Sequence, residues 1–165
     1  MTVREYESPC GRLLLGVRGH KLCLCDWIVD DRIERTLRRI KRNFQGEAFK
    51  DDIEILDLAE EQLKEYFDRR RKEFSIPVET VGTEFQRNVW KALERIPYGE
   101  TVSYKSIAES IGCGLSVRAV ANAIGANALS VIIPCHRVIG SNGSIGGYAG
   151  GLDAKSYLLA LESQP

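Results

Sequence analysis

The patterning of this 165-residue chain changes at Val81-Gly82-Thr83, and that change sets the architecture. Before it, Leu13-Leu14-Leu15 and the run from Lys21 to Ile28 are apolar stretches separated by Gly16-Val17-Arg18-Gly19-His20, which predicts a hairpin. Ile33, Leu37, Ile40 and Phe44 then recur at helical spacing from Asp31 to Phe44. A second helix is expected from Asp57 to Arg71, with Leu63, Tyr66 and Phe67 buried and Glu60-Lys64 and Glu65-Arg69 as surface pairs. Phe74, Ile76 and Val78 alternate as in a strand over Lys72-Glu79. After the change, Thr83 reads as an N-cap, with Phe85, Val89, Leu93 and Ile96 along one helix face. Pro97-Tyr98-Gly99-Glu100 is a turn. Two short helices, Tyr104 to Ser110 and Val117 to Gly125, are separated by Gly112-Cys113-Gly114 and form a helix-turn-helix candidate. Val131-Ile132-Ile133 reads as a strand, residues 140–151 as a glycine-rich loop, and Asp153 to Glu162 as a closing helix.

Composition narrows the function classes. No apolar run is long enough for a membrane span, and the N-terminus has no hydrophobic signal segment, so a soluble, cytoplasmic protein is expected, nuclear in a eukaryote. Five cysteines, an odd number without framework spacing, predict free thiols in a reducing compartment. Cys10, His20, Cys23 and Cys25 raise a metal site. Their spacing is not that of a zinc knuckle, and Cys23 and Cys25 also suit one face of a strand, so packing is the expectation and no metal is assigned. Net charge is zero, which gives no global electrostatic case for nucleic acid. The first helix is locally basic through Arg32, Arg35, Arg38, Arg39, Lys41 and Arg42. This is read as a solvated face paired through Glu34 and Arg38, with nucleic-acid contact as the other reading.

Ile133-Pro134-Cys135-His136-Arg137-Val138 carries the chemistry. A thiolate is the reactive form of cysteine, and an adjacent imidazole can take the thiol proton. Pro134 biases Ile133 toward extended backbone, which would present the sulfur at the end of a strand-like segment. Core packing is the competing reading of a lone Cys-His pair. On the helix from Val117, residues Val117, Val120, Ala121 and Ile124 are expected to face the core. Arg118, Ala119, Asn122, Ala123 and Ala126 form the opposite face, small and nearly uncharged. Such a face suits the minor groove, where little sequence is read, better than the major groove. Arg118 is its one long side chain; an ordinary surface arginine is the alternative.

Gly82-Thr83-x-Phe85-Gln86-x-x-Val89-Trp90, Ile96-Pro97-Tyr98-Gly99-Glu100-Thr101, Ser103-Tyr104, Ile107-Ala108, Arg118-Ala119-Val120, Pro134-Cys135-His136-Arg137-Val138 and Gly147-Tyr148-x-Gly150-Gly151-Leu152-x-x-Lys155 occur in this order. Together they resemble the O6-alkylguanine-DNA alkyltransferases. The likeness covers residues 82–162, and Ser8-Pro9-x-Gly11 with the hairpin looks like that family's first domain. The resemblance implies an α+β protein. A small N-terminal α/β domain over residues 1–80, an antiparallel sheet with helices, precedes a mostly helical, winged helix-turn-helix-like domain over 81–165 that carries the active site.

It also implies direct reversal of DNA damage, an alkyl group passing from O6 of guanine, and from O4 of thymine, to Cys135 after base flipping. His136 would deprotonate Cys135 through a water, Glu162 would orient His136, Tyr104 would donate to the leaving guanine, and Asn127 would brace the segment before the cysteine. Tyr104, Lys105, Ser116, Arg118, Ala119, Asn122, Ala123 and Ser141 would contact DNA, with Arg118 filling the gap in the stack. Ile124, Val138, Tyr148, Ala149 and Gly150 would form the base pocket. No cofactor is implied, and the protein is expected to be a monomer in solution, bound to alkylated double-stranded DNA in the minor groove with little sequence specificity.

Four positions depart from the family pattern: Ala128 and Gly114 stand where proline is common, Gly125 where some members carry arginine, and Ala149 where some carry serine. Zinc, bound by some members, is not carried over. The competing readings are a non-repairing alkyltransferase-like binder, which would lack the acceptor cysteine; a helix-turn-helix regulator; and a cysteine hydrolase, which would need an oxyanion hole and turnover.

Overall fold

A computed structural model describes residues 1–45, 50–112 and 116–165, so the Cys113 and Gly114 part of the expected inter-helix turn lies outside the described residues. The chain divides into two compact units, Met1–Val81 and Gly82–Pro165.

In the first unit, β1 (Thr2–Ser8), β2 (Gly11–Arg18) and β3 (Lys21–Trp27) form an antiparallel sheet in that order. The hairpin expected from the two apolar runs is β2–β3. The edge strand β1 escaped the sequence pattern because none of Thr2 to Glu7 is buried and charged residues fill it. In β3, by contrast, every residue after Lys21 is buried. Cys23 and Cys25 lie in that core, where burial pushes the Cys23 thiol up to about 12 and Cys25 up further still, as packing residues should be. His20 is exposed beside Asp52.

Helix α1 (Arg32–Asn43) packs on β3, burying Thr36 and Ile40. The buried Asp26 receives Thr36 Oγ1 at 3.0 Å and Arg32 Nε at 3.2 Å, which fixes the start of the helix to the sheet. Helix α2 (Ile53–Phe67) covers the sheet with Leu56, Ala59, Leu63, Tyr66 and Phe67. It begins and ends four residues earlier than the spacing predicts. Asp52 caps it by accepting from Glu54 N at 3.1 Å, and Arg69 beyond its end adopts φ 61°. Glu60 pairs with Arg4, and Glu65 with Arg71.

The expected strand over 72–79 is instead an extended segment with one parallel bridge, Leu22 to Val78. Pro77 has no N–H to give to a ladder, and the Gln62 side chain engages Ser75 at 2.7 and 2.9 Å.

The second unit starts with α3 (Glu84–Glu94). A capping box opens it: Gln86 N donates to Thr83 Oγ1 at 3.1 Å and Thr83 N to Gln86 Oε1 at 3.0 Å. Strand β4 (Val102–Ser103) leads into α4 (Tyr104–Ile111), capped by Ser103 and ended by Gly112 at φ 73°. Helix α5 (Val117–Gly125) is capped by Ser116. The indole N–H of Trp90 on α3 donates to Ala123 O at 2.8 Å, locking α3 to α5. A short 3-10 turn (Cys135–Arg137) precedes β5 (Val138–Ile139), which pairs in parallel with β4, and α6 (Leu152–Ser163) closes the unit.

Two expectations are corrected here. Val131-Ile132-Ile133 is no strand: it is a run of turns, with Val131 at φ 71° and Ile133 N donating to Leu129 O at 2.8 Å. Its apolar character fills the core, with Val131 and Ile133 each 1% exposed, rather than building a sheet. On α5 the faces are rotated from the expectation. Val117 is 42% exposed, whereas Ala123 is 3% exposed and turned toward α3. Ala123 therefore leaves the set of outward residues.

Candidate active site

The segment before Cys135 is held by one side chain. Asn127 Nδ2 donates to Ile133 O at 2.9 Å, while its Oδ1 accepts from Leu129 N at 3.0 Å, so the buried amide clamps both ends of the turn. That clamp encloses Val131, whose left-handed backbone is costly for a β-branched residue, about 1–3 kcal/mol. Pro134, at φ −80° and ψ 63°, forms an inverse γ-turn closed by Cys135 N to Ile133 O at 2.8 Å. Cys135 thus begins a tight 3-10 turn rather than ending a strand, and it is 6% exposed.

His136 is fully buried. Its Nε2 stands 2.7 Å from Glu162 Oε2. A carboxylate only accepts, so Nε2 carries the hydrogen and Nδ1 keeps its lone pair in the neutral ring. Nδ1 is itself buried, with no hydrogen-bond partner among the described residues. Burial pulls the His136 pKa down; Glu162 opposes this, while Arg137 and Lys155 add to it. The imidazole is therefore a neutral base at neutral pH.

Glu162 also holds a cation. Arg137 grips it in a fork, Nε to Oε1 at 2.7 Å and Nη2 to Oε2 at 3.1 Å, and donates from Nη1 to Ile96 O at 2.7 Å. Gly99 N approaches Oε1 at 3.4 Å. Lys155, also on α6 and fully buried, donates from Nζ to Val138 O at 2.6 Å and Gly147 O at 3.2 Å. Burial pulls Lys155 down to about 8, and the neighbouring Cys135 opposes the shift. The Tyr104 hydroxyl lies 3.5 Å from Gly147 O, and burial, then Cys135, push its pKa up. Gly146, at φ 72°, lets the loop pass: a Cβ there would lie 2.9 Å from the Tyr104 hydroxyl.

The fold therefore brings Cys135, His136, Glu162, Tyr104 and the Asn127 clamp into one region. Arg137 and Lys155 join this site although the sequence pattern assigns them no role. Lys155 was legible, since it lies seven residues before Glu162 on the face of α6 that also buries Ala154, Leu158 and Leu161. Val138 and Ile124 are buried, and Tyr148, Ala149 and Gly150 are half-buried in the loop before α6. Ser116, Arg118 and Asn122 are exposed and Ala119 half-buried along α5, while Lys105 on α4 and Ser141 in the loop are exposed elsewhere. Ser116 Oγ accepts from Ala119 N at 3.0 Å, so its hydroxyl already serves as a cap. A hollow of about 470 Å³ lined by Gly99, Thr101, Ile139, Ile145, Leu159 and Ser163 borders Glu162.

A buried thiol beside a neutral histidine that a carboxylate orients defines a protein built for nucleophilic cysteine chemistry. Comparison with known proteins narrows the class. Residues 84–164 match the 6-O-methylguanine DNA methyltransferase DNA binding domain, and residues 1–80 match the ribonuclease-like domain of the same proteins. The chain belongs to the 6-O-methylguanine DNA methyltransferase family. It is 53% identical to a methylated-DNA–protein-cysteine methyltransferase of Methanosarcina barkeri, over 94% of this chain and 93% of that one. To a protein of that name from Mycolicibacterium paratuberculosis it is 42% identical, over 96% and 90%. The crystal structure of Mycobacterium tuberculosis OGT in complex with DNA superposes with a TM-score of 0.81 at 38% identity, covering 98% of this chain and 92% of that one. The α+β architecture expected from the sequence agrees with these structures. Among the described residues, no helix is long and apolar enough to cross a membrane.

Proposed function

We propose that this chain repairs O6-alkylguanine, and O4-alkylthymine, in double-stranded DNA by moving the alkyl group onto Cys135. The observation that carries this reading is the neutral His136, held through Nε2 by Glu162, with Nδ1 left as the basic atom of the residue that follows Cys135. His136 takes the Cys135 proton through a water. The thiolate attacks the alkyl carbon, the carbon–oxygen bond breaks, and its electron pair leaves with the base, which Tyr104 assists as proton donor. The thioether has no bond comparable to an acyl-enzyme for water to cleave, so one molecule repairs one lesion, without a cofactor.

The alkyl carbon is out of reach inside the stack, so the base must be flipped. Helices α4 and α5 act as the helix-turn-helix, with α5 in the minor groove, where little sequence is read. Exposed Arg118 fills the vacated position, and Ser116, Ala119, Asn122, Lys105 and Ser141 contact the duplex nearby. Tyr148 packs on the flipped base against Val138, Ile124, Ala149 and Gly150. Residues 1–80 form a structural domain and 81–165 the DNA-binding and alkyl-acceptor domain. The protein works as a cytoplasmic monomer, or in the nucleus of a eukaryote.

The test is intact mass with peptide mapping after incubation with a duplex carrying one methylguanine. A gain of one methyl on Cys135, saturating at one per protein, is expected. Tight lesion binding with no mass change would move the chain to the non-repairing binders.

A further inference from the structure

One side of α1 has no part in the chemistry above. Arg35, Arg38, Lys41 and Arg42 are exposed at spacings that place them on a common face. Arg35 is paired with Asp31, and on the flank Arg32 is held by buried Asp26. Arg38, Lys41 and Arg42 have no ion-pair partner among the described residues, and Glu34 is the one carboxylate within their row. With Leu37 and Gln45 these residues line a shallow hollow of about 660 Å³.

Several acidic residues of the same unit are paired away from this face. Asp57 and Glu60 hold Arg4, Glu65 holds Arg71, Asp68 holds Arg70, and Asp51 holds the terminal amine. Arg38, Lys41 and Arg42 lie within five residues of one helix, although the whole chain is neutral. From Arg38 to Arg42 the helix advances about 6 Å, over which one strand of a duplex presents roughly two phosphates. Three free cations on long side chains, two of them arginines able to fork onto phosphate oxygens, can reach that stretch of backbone and the phosphates beside it. Among the described residues the face has no exposed apolar side chain to insert into lipid, which argues against a membrane surface.

We infer that Arg38, Lys41 and Arg42 on α1 form a second nucleic-acid contact, made to the phosphodiester backbone alone. It adds affinity without reading sequence, because long cations on phosphates position a protein but do not specify bases. The inference rests on the reading of the chain as a protein that acts on DNA.

The test uses the full chain with Arg38→Gln, Lys41→Gln and Arg42→Gln combined, binding undamaged duplex across a range of salt. The slope of log affinity against log salt should become shallower by about two to three, and low-salt affinity should fall at least tenfold. A control with Arg12→Gln, Lys21→Gln and Arg70→Gln removes the same charge elsewhere on this unit and should keep a slope near that of the unaltered chain. Reaction with free benzylguanine, which needs no duplex, should be unchanged in both. An unchanged slope in the α1 variant, or an equal change in both variants, overturns the inference. If the benzylguanine rate falls in the α1 variant, Arg38→Lys with Arg42→Lys must restore both rate and slope; restoration of rate alone also overturns it. Preferential loss of binding to anionic phosphatidylserine vesicles, with duplex binding intact, would replace DNA by a membrane. Failure of the unaltered protein to alkylate Cys135 at all would instead strike the reading of the active site.

Discussion

Lys155 donates from Nζ to the carbonyl of Val138 at 2.6 Å, in a position where none of its side chain reaches solvent. Through Gly147 O the same ammonium also holds the glycine loop, so one cation ties the strand after Cys-His to the segment that carries Tyr148. Lys155→Met keeps most of the volume and removes the tie. Stability near pH 7 should change by less than about 2 kcal/mol, since losing a buried charge offsets the lost hydrogen bonds. Transfer from both duplex and free benzylguanine should slow at least tenfold, measured in single-turnover assays.

The same lysine has a signature in the pH dependence of stability. Its folded pKa is lowered to about 8, against an ordinary value near 10.5. Between those values the unfolded chain binds more protons than the folded one, so this group makes stability rise with pH from about 8 to about 10.5, with no slope of its own below that window. Denaturation melts across the window should show Lys155→Met lacking that component.

His136 tests the proton path. Removing a positioned base costs about 10²- to 10⁴-fold, so His136→Gln should reduce transfer by that order while Cys135 remains present. Because burial lowers the His136 pKa, transfer by the unaltered protein should persist as pH falls through 6.5 and decline only further down. Stability behaves in the matching sense. The unfolded histidine takes up a proton near 6.5 while the folded one stays neutral, so stability is lost as pH drops below that value, and His136→Gln should lack this loss. A rate that tracks an ordinary histidine titration would sink the assignment of a buried neutral base.

Glu162 is shared by His136 and by the Arg137 fork, and its removal should be felt first in the fold. Glu162→Gln leaves Arg137 buried without its carboxylate, which should cost about 3–5 kcal/mol in urea denaturation. Arg137→Met added to it should recover a large part of that stability without recovering transfer, because the carboxylate charge that balances a protonated His136 is still missing. Equal recovery of both would mean that Glu162 acts only through packing.

Much of this arrangement was legible in the sequence because local chemistry determined it. Thr83 announced α3, Gly112 ends α4 as its type suggests, and α1 forms where its spacing predicts, although Ile40 alone of Ile33, Leu37, Ile40 and Phe44 is fully buried. The failures share a cause. Val131-Ile132-Ile133 has the composition of a strand, but its backbone is set by Asn127, whose two hydrogen bonds span six residues and cannot be read from periodicity. Ala123 is buried where the Trp90 indole, thirty-three positions away, meets the same stretch of α5, a packing that periodicity does not show. The burial of Arg137 and Lys155 is not legible in residue type because charged side chains are expected outside; only the three-dimensional supply of carbonyls and of Glu162 makes their burial tolerable.

The reaction should also weaken the protein that performs it. Cys135 is 6% exposed and its backbone is fixed by Pro134 and the Asn127 clamp, so an alkyl group added to Sγ cannot be accommodated by moving the residue outward. Overfilling a packed site costs about 1–3 kcal/mol, and the cost grows with the added volume. Methylation should therefore lower the melting temperature by a few degrees, and benzylation by more. Cys135→Ser, treated with the same alkyl donors, should show neither the mass gain nor the shift. Calorimetry of the unmodified, methylated and benzylated forms gives the comparison, and a melting temperature independent of alkyl size would show that the product lies in open space rather than in a packed pocket.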